Sequence, residues 1–214
     1  MKLKPFLTAA FVLMNTAIWA DVPKPKVKFT TSLGSFTVEL EPEAAPKTVE
    51  NFLHYVRKGH YNGTIFHRVI STFMIQGGGH SPELKEKTTG SPIQNEAQKA
   101  AAADIKNTRG SIAMARTSAP HSATAQFFIN VVDNPNLDYP SFDGWGYCAF
   151  GKVVEGMEVV DKIRAVPTGT RQGPNSPMAN VPIEPVFIED AVLIGAQKAR
   201  SPSQKKTGKL KSKS

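Results

Sequence analysis

Cysteine is almost absent from this sequence: its 214 residues contain one, Cys148. A single cysteine cannot form an intramolecular disulfide, so the fold depends on a hydrophobic core, which a chain of this length can build. We expect Cys148, in the apolar stretch YCAFGKVV, to pack as a small buried apolar group. The five histidines are scattered and show no spacing typical of a metal site, so we expect neither a metal nor a cofactor.

The sequence also lacks an apolar run of the roughly 20 residues that a membrane-spanning helix needs. The longest run, from Phe6 to Trp19, follows two lysines, contains Asn15 and ends just before Ala20. A charged start, a short apolar stretch and a small residue at the cut predict a cleaved secretory signal over residues 1–20. An uncleaved membrane anchor is the alternative.

Acidic residues are missing from the end of the chain, residues 196–214, which carries seven basic residues and few apolar ones. Such a segment has little to bury, so we expect a disordered basic tail. Residues 21–195 hold 17 basic and all 18 acidic residues, a formal charge of −1, so the net charge of +8 belongs to the ends. We therefore expect no nucleic-acid binding by the domain, whereas contact of residues 198–213 with an anionic surface stays open.

The body between these ends shows strand-like alternation more often than helical spacing. We predict a hairpin over 27–40, helices over 45–59 and 155–166, and strands over 64–70, 73–78, 110–116, 126–132, 147–154 and 185–194. The polar stretch 79–108 and the proline- and glycine-rich stretch 167–182 are interpreted as loops. Many strands and two helices far apart, without a β-α-β rhythm, predict a mostly β fold, an antiparallel barrel capped by helices.

Residues 66–79, FHRVISTFMIQGGG, lack the groups on which most enzymes depend. No serine–histidine pair, cysteine nucleophile or carboxylate pair stands beside Arg68 and Gln76. This block, followed by IAMAR, QFFI and FGKVVEGMEVVDKI, resembles the cyclophilin peptidyl-prolyl isomerases over nearly all of residues 27–194. With the signal-like start and the blocks IQNEA, NTRGSIAMARTS and SATAQFFINV, the chain is most similar to the periplasmic cyclophilins of Gram-negative bacteria. The resemblance implies a closed eight-stranded antiparallel barrel capped by two α-helices, and a periplasmic location.

Isomerisation of an X–Pro bond makes and breaks no covalent bond, which accounts for the missing nucleophile. Its barrier of about 18–20 kcal/mol comes from the partial double bond of the amide, so an enzyme must favour the twisted state. In that state the proline nitrogen is a better hydrogen-bond acceptor, and a guanidinium is a donor that keeps its proton. The resemblance implies that Arg68 supplies this donor, while Gln76 hydrogen-bonds the substrate backbone and steadies the arginine.

The resemblance also implies a substrate groove beside these two catalytic residues. An apolar pocket for the proline ring is formed by Phe73, Met74, Phe128 and Leu137, and the groove is lined by Ala115, Arg116, Gln126 and Tyr147. At Ala115–Arg116 the backbone makes the contact, so an arginine in place of the family's usual asparagine is tolerated. His67 lies on the face opposite Arg68 if the strand alternates regularly, and we expect it to pack rather than to act.

Three features depart from the family pattern. Asn136 stands where many members have a rim tryptophan, Tyr147 replaces a rim histidine, and a short insertion around YPSFDGWG contains Trp145. These changes leave Arg68 and Gln76 in place. The missing indole donor predicts that cyclosporin, the family's inhibitor, binds weakly. We expect a monomer that acts on proline-containing unfolded or flexible polypeptides.

Two other functions stay open at this point. A chaperone that grips exposed proline segments would use the same groove without catalysis, and its binding would need Arg68 less than turnover does. An interaction protein would instead act through the basic tail, tethered to an anionic surface.

Overall fold

The computed structural model describes residues 23–195. The predicted signal and tail, residues 1–20 and 196–214, lie outside the described residues. No helix in the described part is long and apolar enough to cross a membrane. The strands are β1 (Lys26–Thr31), β2 (Gly34–Leu40), β3 (Thr64–Ile70), β4 (Met74–His80), β5 (Ser111–Met114), β6 (Phe127–Asn130), β7 (Ala149–Glu155), β8 (Thr168–Gln172), β9 (Pro177–Pro182) and β10 (Phe187–Ile194). The helices are α1 (Pro46–Arg57), α2 (Ala97–Ala102) and α3 (Met157–Arg164), and a 3₁₀ turn spans Pro135–Leu137.

Eight of the strands close into a barrel in the order β1-β10-β3-β4-β6-β5-β7-β2. Every neighbouring pair in it is antiparallel, and β2 pairs with β1 to complete the ring. Closure leaves no unpaired strand edge, which removes the usual aggregation liability of a sheet. The predicted closed, eight-stranded antiparallel barrel is thereby confirmed.

Aromatic side chains fill the barrel interior. Phe29, Phe36, Phe52, Phe127 and Phe150 are at most 1% exposed. The Phe29 and Phe36 rings stack with centroids 4.9 Å apart, and Phe52 lies 5.1 Å from Phe150. Because strand side chains alternate between faces, the rings carried by strands point into the barrel, and Phe52 of α1 joins them in one core.

Helix α1 covers one end of the barrel. It begins with Pro46 in its first turn, where a missing N–H costs nothing, and is separated from the end of β2 by five residues. The predicted stripe of Val49, Phe52, Leu53 and Val56 is buried, as helical spacing requires.

Helix α3 covers the opposite end, at the start of β2. The Val159 side chain packs against Gly34 so closely that a Cβ there would lie 2.9 Å from it. The buried face is Val159, Val160 and Ile163, a mixture of the two faces, Met157–Val160–Ile163 and Val159–Ile163–Val166, that sequence spacing allows.

Two predicted loops contain regular structure. The stretch 79–108 begins within β4 and includes the short helix α2, anchored by the buried alanines Ala97 and Ala100. The stretch 167–182 forms the β8–β9 hairpin outside the barrel. Its Val181 packs with Ile65 and Leu84 in a small separate cluster. Both were missed because alanines, threonines and prolines give little hydrophobic periodicity.

A second apolar cluster lies on the outer face of the barrel. It contains Met74, Ala113, Phe128, Leu137 and Ala149, separate from the interior core. Along β4 and β6 the side chains alternate, so that the neighbours of Met74 and Phe128 point into the barrel while these two point out. Met74, Phe128 and Leu137 of this external cluster also line the candidate site.

Candidate active site

Arg68 and Gln76 face each other across adjacent strands. They are paired in the β3–β4 register, and Arg68 Nη1 donates a hydrogen bond of 3.4 Å to Gln76 Oε1. A register irregularity between Phe66 and Arg68 changes the phase of β3, so that Phe66 and Val69 both enter the core. Regular alternation would have turned Arg68 inward, and the irregularity instead leaves it half-buried at the groove.

An apolar pocket opens beside this pair. Nine predicted residues line it, Arg68, Phe73, Met74, Gln76, Ala115, Arg116, Phe128, Leu137 and Tyr147, together with Phe142. The Arg68 guanidinium lies 6.0 Å from the centre of the Phe73 ring. Tyr147 meets Phe128 edge-on at 5.9 Å. Apolar and aromatic side chains therefore make up most of the pocket lining, and Arg68, Gln76 and Arg116 are its polar members.

Gln126, the tenth predicted residue, lies in an adjoining polar pocket. The two pockets share Gln76, Ala115 and Arg116, so they form one groove with an apolar and a polar half. Gln126 Oε1 accepts from Gln76 Nε2 at 3.1 Å. The Ala115 N–H donates to the Gln126 carbonyl at 3.0 Å, which fixes the groove wall in place.

The side chain of Arg116 does more than sequence analysis predicts. It is 3% exposed and pairs with Asp143, and its Nε donates to the Gly146 carbonyl at 3.1 Å. Its guanidinium stacks over Tyr147 at 4.2 Å. The arginine therefore binds the inserted loop as well as lining the groove.

Phe142 is the residue of the apolar pocket that sequence analysis missed, and Glu86, Thr117, Ser122 and Thr124 are those it missed in the polar half. Phe142 belongs to the insertion and is 83% exposed, the most exposed large apolar side chain among the described residues. Trp145, the aromatic residue singled out in that insertion, instead meets His121 edge-on at 4.7 Å. An aromatic residue in a polar insertion was the available signal, but Tyr139, Phe142 and Trp145 are all present there and only geometry separates them.

His67 is buried beside His80, with ring centroids 4.1 Å apart. Burial, then the nearby His80 and Arg68, lowers the pKa of His67 to about 3, so the ring is neutral near pH 7. Within residues 23–195 its Nδ1 has no hydrogen-bond partner. This placement fits the packing role expected for it.

The site contains no activated nucleophile. Burial raises the pKa of the Cys148 thiol to about 12, and the thiol contacts Thr48 Oγ1 at 3.6 Å, away from the groove. In the part of the chain that the structure describes, no three histidine, cysteine or acidic residues are placed to hold a metal ion. The groove therefore presents the Arg68 guanidinium as a hydrogen-bond donor, the side-chain amides of Gln76 and Gln126, and an apolar pocket.

Comparison with known proteins identifies the family to which this chain is similar. A family model described as cyclophilin type peptidyl-prolyl cis-trans isomerase matches residues 26–189. Peptidyl-prolyl cis-trans isomerase B of Escherichia coli (strain K12) is 55% identical over 169 residues, 78% of this chain and 98% of that protein. A peptidyl-prolyl cis-trans isomerase of Streptomyces antibioticus is 54% identical over 171 residues, 79% and 98% of the two chains.

Solved structures give the same picture. The crystal structure of a cyclophilin type peptidyl-prolyl cis-trans isomerase from Cryptosporidium parvum, determined in the presence of the dipeptide Ala-Pro, matches with a TM-score of 0.62. The two chains are 29% identical, and the match covers 78% of this chain and 98% of that one.

Proposed function

This chain belongs to the cyclophilin-type peptidyl-prolyl cis-trans isomerases, and we propose that it isomerises X–Pro bonds through the Arg68 guanidinium. The observation that carries the proposal is the position of Arg68 at the rim of an apolar pocket, beside Gln76. A proline ring seated on Met74 and Phe128 would place its nitrogen close to that cation. The proline nitrogen becomes a better acceptor as the amide twists, so the hydrogen bond from Arg68 stabilises the transition state more than the ground state.

Gln76 has two tasks in this proposal. Its Oε1 accepts from Arg68, and its Nε2 is held by Gln126, so the amide plane is fixed from both sides. A fixed amide keeps the guanidinium aimed into the pocket, and its exposed edge offers a contact to the substrate backbone. Preorganisation of this kind avoids reorganising the site during reaction.

We further propose that the substrates are secreted polypeptides folding in the periplasm. The support is the pattern of residues 1–20, which has the charged start, short apolar stretch and small residue of a secretory signal. Mass measurement of the N-terminus after export tests it, with cleavage after Ala20 expected. A mature protein that keeps residues 1–20 would contradict export with cleavage.

Turnover tests the activity directly. Nuclear magnetic resonance exchange spectroscopy on an Ala-Pro peptide measures the cis–trans rate without a coupling enzyme. Uncatalysed exchange takes tens of seconds or longer, so catalysed exchange is easily distinguished. Exchange no faster than the uncatalysed rate would contradict the proposal.

Cyclosporin is expected to bind this protein weakly, and Asn136→Trp is expected to tighten its binding at least about tenfold, the order of one added hydrogen bond with ring contact. Asn136 is exposed and directly precedes Leu137 of the pocket, so an indole there would lie on the rim. Calorimetric titration measures the change. Asn136→Phe is the matched control, because it adds a ring without the N–H donor and should gain less. Tight binding to the unmodified protein would contradict this prediction.

A further inference from the structure

The inserted loop, residues 138–146, is fastened to the groove wall by hydrogen bonds and an ion pair. Arg116, buried in the groove wall, pairs with Asp143 and also donates to the Gly146 carbonyl. Asp143 Oδ1 in turn accepts from the backbone N–H groups of Trp145 and Gly146, both at 3.0 Å. The hydrogen bond from the Gly146 N–H has the largest effect and that from Arg116 adds to it, and together they lower the pKa of Asp143 to about 2. The carboxylate therefore stays charged at neutral pH.

The base of the loop is fixed as well. Asp138 Oδ1 accepts from the backbone N–H and the side-chain amide of Asn107, at 2.7 and 2.9 Å. Gly146 sits so close to the backbone of Tyr139 that a Cβ would lie 2.8 Å from the Tyr139 nitrogen. The loop is therefore fastened at its base by Asp138 and near its tip by the partly buried ion pair of Arg116 and Asp143.

Phe142 is at that tip, on the apolar half of the groove. A single exposed aromatic residue needs no explanation by itself. This one differs because it lines the same pocket as Phe73 and Leu137 and is carried by a fastened loop. We propose that Phe142 forms a subsite for an apolar side chain adjoining the proline of a bound polypeptide, which makes it a specificity-determining residue. The subsite rests on the proposed function.

The test compares how strongly the enzyme prefers an aromatic neighbour of proline. The peptides carry either phenylalanine or glycine beside the proline, on each side in turn, and exchange spectroscopy gives kcat/KM for each. The wild-type protein should favour a phenylalanine peptide on one side by about two- to tenfold, the range of one aromatic contact. Phe142→Ala should lose that preference.

Two further variants sharpen the outcome. Asp143→Asn removes the ion pair with Arg116 and should weaken the same preference, since the loop is then less firmly held. Ile183→Ala truncates another exposed apolar side chain, 58% exposed and outside the groove lining, and should keep the wild-type preference. Equal ratios in wild type and Phe142→Ala would overturn the subsite even though turnover persists. Failure of the wild type to turn over any peptide would overturn the proposed function itself.

A second, independent observation concerns a line of four side chains that runs from Arg68 in the apolar half of the groove to Glu86 in its polar half. Arg68 Nη1 donates to Gln76 Oε1 at 3.4 Å, and Gln76 Nε2 donates to Gln126 Oε1 at 3.1 Å. Gln126 Nε2 then donates to Glu86 Oε1 at 3.1 Å. We name these four residues the relay.

The two ends of the relay set its direction. A guanidinium can only donate and a carboxylate can only accept, whereas each amide does both. With a donor at one end and an acceptor at the other, both glutamines must turn their carbonyl oxygens toward Arg68. From this we infer that Glu86 is a positioning residue for Arg68, acting through Gln126 and Gln76.

Reversing the polarity at Glu86 tests this. Glu86→Lys places a donor at both ends, so one amide must turn and its hydrogen bond to the next member is lost. We expect kcat to fall about two- to tenfold, the effect of one ordinary hydrogen bond, with less change in KM. Glu86→Gln still offers an accepting oxygen and should recover most of the rate.

Glu83 provides the matched control on the same segment. Its carboxylate accepts from Ser81 Oγ at 2.7 Å and takes no part in the relay. Glu83→Lys makes the same change in charge and should leave kcat unchanged. Equal kcat values for Glu83→Lys and Glu86→Lys would overturn the role of Glu86, as would failure of Glu86→Gln to exceed Glu86→Lys.

Discussion

Replacing Arg68 with alanine is expected to lower kcat for an Ala-Pro peptide by about 10²–10³, the usual effect of removing one preorganised donor from a transition state. The fold should survive, since Arg68 is half-buried and its one side-chain hydrogen bond, to Gln76, is long at 3.4 Å. Exchange spectroscopy gives the rate, and thermal unfolding shows that Tm is little changed.

Two variants make this result specific. Arg68→Lys keeps the charge but should recover little, because an ammonium cannot both hold Gln76 and reach the proline nitrogen. Arg57→Ala removes an exposed arginine from the last turn of α1 and should leave turnover unchanged. Near-wild-type turnover in Arg68→Ala would contradict the mechanism. If Arg68→Ala still binds proline peptides with little loss of affinity, binding does not depend on the residue that catalysis needs. The groove could then also serve a chaperone that binds proline segments without isomerising them.

The barrel and its helices could be predicted because their signals are local. Strand alternation and the stripe from Val49 to Val56 depend on residues close in sequence, and burial follows from them. The β8–β9 hairpin could not be predicted in this way. Its strands carry few large apolar residues, and its fastening point, Val181, packs against residues about a hundred positions away.

In the site, too, pairs of residues close in sequence could be predicted and pairs far apart could not. Arg68 and Gln76 lie on adjacent strands of a short hairpin, so the block FHRVISTFMIQGG places them together. The role of the Arg116 side chain depends on Asp143, 27 residues away and on an irregular loop. The relay likewise needs Glu86, 40 residues from Gln126. Pairings of this kind come from loop geometry, and a single sequence carries no periodic signal for them.

His67 is expected to make the stability of the fold depend on pH. Its pKa, 6.5 in the unfolded chain, falls to about 3 in the fold because the ring is buried, with His80 and Arg68 adding to the effect. Burial also lowers the pKa of His80, although the nearby Glu86 acts in the opposite direction. Burial likewise lowers the pKa of His60, and the charge of Lys87 lowers it further. Between pH 6.5 and 3, His67 is protonated in the unfolded chain but neutral in the folded protein. The folded state therefore loses stability as pH falls.

We therefore expect the free energy of unfolding to drop below pH 6.5, with His67 contributing roughly 1.4 kcal/mol per pH unit until about pH 3. Replacing it with an aromatic ring that cannot titrate, His67→Phe, should flatten the curve by that amount and make the variant relatively more stable at pH 4 than at pH 7. Urea unfolding at a series of pH values measures both slopes. His54→Phe, at an exposed position on α1, is the control and should keep the wild-type slope. Parallel curves for wild type and His67→Phe would mean that the His67 ring takes up its proton in the folded state as readily as in the unfolded chain.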